Sequence, residues 1–226
     1  MPPRASKPVP AKNGSAPASA STSADALSAA DEAKARETEL FRLARTGDRG
    51  AFGQLALRTQ DRLYTAILRM VGDREEAREL TQEAFVKALA ALDSFRGESG
   101  WYTWVFRIGM NLALTHLRRV QRHRTFSLDA PRPGGGDQAT GLADRLVSPD
   151  ASPDQIAQRH ETRQQVLTCL GQLDAEARAL LVLRDIEGMD YQQMADVLEV
   201  PLGTLKSKLF RARLTLRERL LAAIKK

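Results

Sequence analysis

The chain has one cysteine, Cys169, three histidines, and aromatic residues at only 5% of its 226 positions. A single cysteine excludes an internal disulfide framework and any multi-cysteine zinc site. It reads as a helix-packing residue in a reducing compartment, not as a nucleophile. His116, His123 and His160 lack metal-ligand spacing with one another or with Cys169. No apolar run approaches the roughly 20 residues that span a bilayer, so membrane insertion is not expected. Gly134–Gly136 is followed by no Lys-Ser/Thr pair and opens no strand–helix unit, so it is not a phosphate loop. No nucleophile–base pairing is evident either, and no enzyme activity, cofactor or metal is expected. Residues 1–33 lack the apolar core of a secretory signal. Rich in Ala, Ser and Pro, they read as part of a disordered tail over 1–36, and the protein as cytoplasmic.

What is present is positive charge and helical periodicity. Thirty-four Lys+Arg against 28 Asp+Glu give a net charge of +6, which favours a polyanionic partner. β-branched alternation is scarce and helical spacing dominates, so the fold class is all-α. The first helices are expected over Glu37–Arg45 and Arg49–Val71, where Leu63, Ile67 and Met70 share a face. Gly72 ends the second. Asp73 and Glu76 have capping-box spacing for a helix running to Leu92, with Leu80, Ala84, Ala88 and Leu92 as its core stripe. Further helices are expected over Gln155–Leu170, Ala175–Glu187, Tyr191–Leu198 and Leu202–Leu221. Between them, residues 129–154 have the Pro, Gly and Asp content of a linker. Two helical domains, 37–128 and 155–226, are thus expected on a tether that extends to about 80 Å.

The densest segment runs from Phe95 to Arg124, and from Trp101 to Ser127 it contains no Asp or Glu. It gathers Phe95, Trp101, Tyr102, Trp104 and Phe106 with Arg107, Arg118, Arg119, Arg122 and Arg124. Aromatic faces stack on unpaired bases at ~1–3 kcal/mol each, and cations hold phosphates. The segment therefore reads as a surface for melted nucleic acid. A second element, Asp190 to Arg213, has the pattern of a helix-turn-helix. Asp190 caps its first helix, Met194, Ala195 and Leu198 are buried, and Leu205 and Leu209 anchor the second helix, which enters a major groove. From Pro201 onward eight Lys/Arg face Glu218 alone. A third element is acidic: seven carboxylates lie between Asp73 and Glu98, and Glu79, Gln82 and Glu83 flank the core stripe. Such a face repels phosphates and suits a basic protein partner.

These residues resemble the bacterial RNA polymerase sigma factors of the extracytoplasmic-function group. GDRGAF (47–52), DREEARELTQEAFVKAL (73–89), FRGESGWYTWVFRIGMN (95–111) and PLGTLKSKLFRAR (201–213) stand in that family's order and spacing. The resemblance implies that the first domain is region 2. Its acidic helix would bind the clamp helices of the largest core-polymerase subunit through Glu79, Gln82 and Glu83. Phe95, Arg96 and the loop to Gly100, with Trp101, Tyr102, Trp104, Arg107 and Asn111, would melt and read the −10 element. Arg118, Arg119 and Arg122 would hold its phosphates. The second domain would be region 4, near the polymerase flap, reading the −35 element as duplex. Ser207, Phe210 and Arg211 match base-reading positions; Thr204 belongs to the same set, and Lys206 and Lys208 lie on or near phosphate. An anti-sigma factor is the further expected partner.

Two departures from the family pattern stand out. Glu199 occupies the turn position where Gly is usual, at a cost of ~1 kcal/mol if the backbone there is left-handed. Glu79-Leu80 replaces the frequent Asp-Leu. Two other readings compete: a helix-turn-helix regulator that binds operators alone, and a polymerase-binding adaptor that reads no promoter. The first leaves the aromatic cluster unexplained.

Overall fold

The computed structural model describes residues 20–95, 99–126, 162 and 164–224, and among them there is helix and no strand. In chain order the helices are α1 (Ala20–Arg45), α2 (Arg49–Val71), α3 (Arg74–Ala90) and α4 (Trp101–Phe126). Then come α5 (residues 164–171), α6 (Ala175–Leu181), α7 (Tyr191–Leu198) and α8 (Leu202–Ile224). A 3-10 turn, Leu92–Ser94, follows α3, and α6 runs on as a π turn over Val182–Ile186.

Aspartates start the helices. Asp48 Oδ1 accepts from the Gly50 and Ala51 amides, and Asp73 Oδ1 from those of Glu75 and Glu76. Each satisfies amides that the first helical turn leaves without a partner. Asp190 makes a full capping box with Gln193, each side chain accepting the other's backbone amide at 2.8 and 2.9 Å. The box expected at Asp73 is only half formed, because Glu76 turns to His116 on α4, 3.0 Å away. Gly72 ends α2 at φ 83, a left-handed position that glycine adopts without steric cost.

The apolar stripes pack as their spacing predicts. Leu63, Ile67 and Met70 of α2 are fully buried, and Leu80, Ala84, Ala88 and Leu92 line the core beneath α3. In the second half Met194, Leu205 and Leu209 are buried as expected, joined by Val197, whereas Ala195 and Leu198, expected to be buried, are only partly so because Val197 takes the inward position on this short helix.

Three expectations need correction. The helix placed at Glu37–Arg45 is the end of a longer one starting at Ala20, so part of the segment read as disordered tail is helical. Seven alanines between 20 and 35 carry high helix propensity, which a reading by composition class passed over. The helix from Asp73 ends at Ala90 and not at Leu92, and the last turn tightens to 3-10. The two halves are also not merely tethered: α4 packs on α6 and α7, and α2 touches α6 and the π turn. The linker 129–154 lies outside the described residues.

Candidate nucleic-acid interface

The aromatic side chains of the first half form a cage. Phe41 of α1 meets Phe95 edge-on at 4.8 Å, Phe52 of α2 meets Trp101 at 5.6 Å, and Trp101 and Trp104 lie 5.8 Å apart. Phe95, Trp101, Trp104 and Phe106 are all buried. This corrects the expectation that they stack on bases, since a ring enclosed by other rings presents no face to a nucleotide. Their role is positional. Phe95 and Trp101 stand at the two ends of the 96–100 loop, and the cage fixes both ends. Arg96, at the loop's start, lies outside the described residues.

Tyr102 is half-buried and engaged. Its hydroxyl donates to Glu187 Oε2 at 2.9 Å, and the Arg62 guanidinium lies over its ring, 4.4 Å from the centroid. Burial raises the phenol's pKa far above its ordinary value, and the adjacent Glu187 carboxylate adds to the rise. Tyr102 is therefore also unavailable to a base in this arrangement.

The basic side chains of α4 lie on an open face. Arg107, Asn111, Arg118 and Arg122 recur at steps of four, seven and four residues, which places them on one side of a 3.6-residue helix. Asn111, Arg118 and Arg122 are exposed and Arg107 is partly so; Thr115 completes the stripe. Arg119 is exposed too, about a quarter turn away. Sequence reasoning missed Thr115, although its place at Asn111 plus four was legible.

The second basic surface is the outer face of α8. Thr204, Lys206, Ser207, Phe210 and Arg211 are exposed, Phe210 to 64%. They point away from Leu205, Leu209 and Ala212, which hold α8 to the core. Ser207 Oγ donates to the Thr204 carbonyl at 2.9 Å, and Lys206 Nζ lies 5.7 Å from the Tyr191 ring centroid. Lys208 is different: its ammonium is bound to Glu176 at 2.9 Å. The turn between α7 and α8 is left-handed at Glu199 (φ 55, ψ 41), the conformation in which glycine's absence costs stability.

The third surface is the outer side of α3. Glu79, Gln82 and Glu83 are exposed, with Glu83 paired to Lys87 at 2.9 Å. Beside them stand two apolar side chains in the open, Val86 at 67% and Leu89 at 46% exposure. A carboxylate-rimmed apolar strip is a protein-binding surface in composition. Among the described residues no cluster of His, Cys, Asp or Glu is placed to hold a metal ion, and no helix is long and apolar enough to cross a membrane. Cys169 is buried in helix packing.

Comparison with known proteins agrees with this layout. Residues 55–123 match the family description Sigma-70 region 2, and residues 163–216 match Sigma-70, region 4. The chain is similar to the RNA polymerase sigma-H factor of Pseudomonas aeruginosa, with 37% identity covering 79% of this chain and 90% of that one. It is 35% identical to the ECF RNA polymerase sigma-E factor of Escherichia coli K12, over 74% and 85% of the two chains. Among solved structures it is similar to CnrH in complex with the cytosolic domain of CnrY, with a TM-score of 0.58 and 26% identity over 83% of this chain and 98% of that one. The sigma factor RpoE bound to the anti-sigma factor NepR, from Bartonella quintana, gives the same TM-score at 25% identity, over 75% and 96%.

Proposed function

Because the chain belongs to the extracytoplasmic-function group of the sigma-70 family, it is a transcription initiation factor, and we propose the following division of labour among its surfaces. The outer side of α3 docks on the clamp helices of core RNA polymerase. Glu79, Gln82 and Glu83 meet basic partners, while Val86 and Leu89 supply the desolvated contact that charge pairs at a rim do not. The second domain contacts the flap.

The α4 stripe and the loop it adjoins take the −10 element. Arg118, Arg119 and Arg122 hold backbone phosphates, and the loop after Phe95 with Asn111 receives a base extruded from the duplex. Trapping that base offsets an unstacking cost of a few kcal/mol, so strands separate without a fuel molecule. The buried cage contributes by fixing Phe95 and Trp101, the residues that flank the loop. In α8, Arg211 reads a base edge and Ser207 and Phe210 flank it; Lys206 positions the helix on phosphate without reading sequence. Two proteins of similar structure were solved with protein partners: CnrH with the cytosolic domain of CnrY, and the sigma factor RpoE with the anti-sigma factor NepR. An anti-sigma factor is accordingly proposed for this chain as well.

The observation that carries this reading is the presence of two separate exposed basic faces on one chain, one beside a cage-held loop and one on a helix-turn-helix. Run-off transcription tests it. Core polymerase with this protein on a genomic promoter library is expected to give defined RNA 5′ ends that core alone does not. Operator footprints by the isolated protein, with no transcripts from the reconstituted enzyme, would instead favour a conventional regulator.

A further inference from the structure

Helices α2, α3, α6 and α7 each begin on an aspartate whose side chain accepts from amides of the first turn. α4 begins differently. The Trp104 amide donates to the Gly100 carbonyl at 3.1 Å, which puts Gly100 in the capping position, and glycine has no side-chain oxygen to offer there. The acceptor comes instead from α1. The Glu37 carboxylate accepts from the Tyr102 amide, the second of the helix and one that a local cap would take. Its Oε1 stands beside Gly100, 3.8 Å from where a Cβ would lie. Negative charge at that end also suits the α4 dipole. Glu37 is partly buried; burial raises its carboxyl above the ordinary range, while the Arg58 charge and the Tyr102 amide pull it down.

The same face of α1 reaches the other end of the loop. Phe41 follows Glu37 by four residues, one turn along the helix. Its ring meets Phe95 at 4.8 Å and Trp101 at 6.0 Å. Leu40 and Ala44, on the same helix, are buried in the core and seat it. Phe95 and Tyr102, on either side of the loop, thus rest on adjacent turns of α1, which sets the spacing between them.

We infer that Glu37 is a positioning residue for −10 capture: by capping α4 from α1, it fixes where the base-receiving loop ends and where the α4 stripe begins. This rests on the proposed capture of an extruded base beside that loop. Glu37 acts through the Tyr102 amide and not by touching the DNA. A binding site whose supporting residues let it shift by about 1 Å loses its grip on the ligand.

The test uses holoenzyme reconstituted from core polymerase and the full chain. Fork templates of a promoter that the protein serves are compared intact and with one −10 nucleotide at a time made abasic. The position with the largest intact-to-abasic affinity ratio marks the captured base. A general loss of fold or of polymerase binding weakens both templates alike and leaves that ratio where it was. Glu37→Ala is expected to lower the ratio about fivefold, the factor that loss of an N-cap carries. Glu37→Gln, whose amide oxygen still accepts from Tyr102, is expected to keep it within about twofold. Glu37→Ala combined with Gly100→Ser supplies a local cap and is expected to restore the ratio. An unchanged ratio in Glu37→Ala, or no recovery in the double variant, would overturn the assignment alone. A ratio of one at every position in the unmodified protein would remove the capture reading and the assignment with it, so the two failures are distinguishable.

Discussion

The Trp101 indole N–H donates to Thr59 Oγ1 at 2.7 Å, joining the first turn of α4 to the middle of α2 inside the core. The same hydroxyl donates to the Leu55 carbonyl at 2.5 Å, so one oxygen both gives and receives. Thr59→Val keeps the shape and removes the acceptor. It is expected to destabilise the first half by about 1–3 kcal/mol, the cost of a buried donor without a partner. Urea denaturation checks this, and an unchanged midpoint would show that the indole finds another acceptor.

Gly109 lets α4 approach α2. A Cβ there would lie 2.7 Å from Leu63 Cδ1 and 3.3 Å from Ile67 Cδ1, and both side chains are fully buried. Gly109→Ala gains about 1 kcal/mol in helix propensity, but overpacking costs about 1–3 kcal/mol. The net expectation is a lower melting temperature. A rise would mean that Leu63 has a second rotamer open to it.

Glu199 is the one non-glycine residue with positive φ among the described residues. Glu199→Gly removes the clash of Cβ with the backbone and is expected to stabilise the second half by about 1 kcal/mol. Affinity for a −35 duplex should not change, because the residue lies in the turn before the reading helix. Calorimetry and a duplex titration read the two quantities separately.

On α8, Arg211→Ala is expected to relax preference at a single −35 position by about 1–3 kcal/mol. Lys206→Ala should weaken all duplexes alike and reduce the salt slope by about one. Binding assays with the reconstituted holoenzyme at several salt concentrations distinguish the two patterns. If both variants lose the same base preference, Lys206 reads sequence as well.

The sequence disclosed periodic features and concealed those that depend on meeting a distant element. The stripes Leu63–Ile67–Met70 and Leu80–Ala84–Ala88 follow from spacing alone and stand where spacing put them. The aromatic cluster was misread because the same composition serves a stacking surface and a small core. Only the arrival of Phe41 and Phe52 from α1 and α2 decides between them. Glu187 and Arg178 gave no local signal: one follows the π turn and the other lies on α6, and each meets a partner more than 100 residues away. The π turn was equally hidden, since Val182–Ile186 reads as ordinary helix.

The cage described above has an optical consequence. Both tryptophans of the chain stand in it, so ultraviolet emission excited at the red edge reports on one half of the molecule alone. That signal should be blue-shifted in the native protein and move to longer wavelength when α1, α2 and α4 come apart. Melting of α6 to α8 should pass almost unseen. Followed beside circular dichroism, which registers every helix, it gives a spectroscopic means of telling whether the two halves lose their order together or in turn.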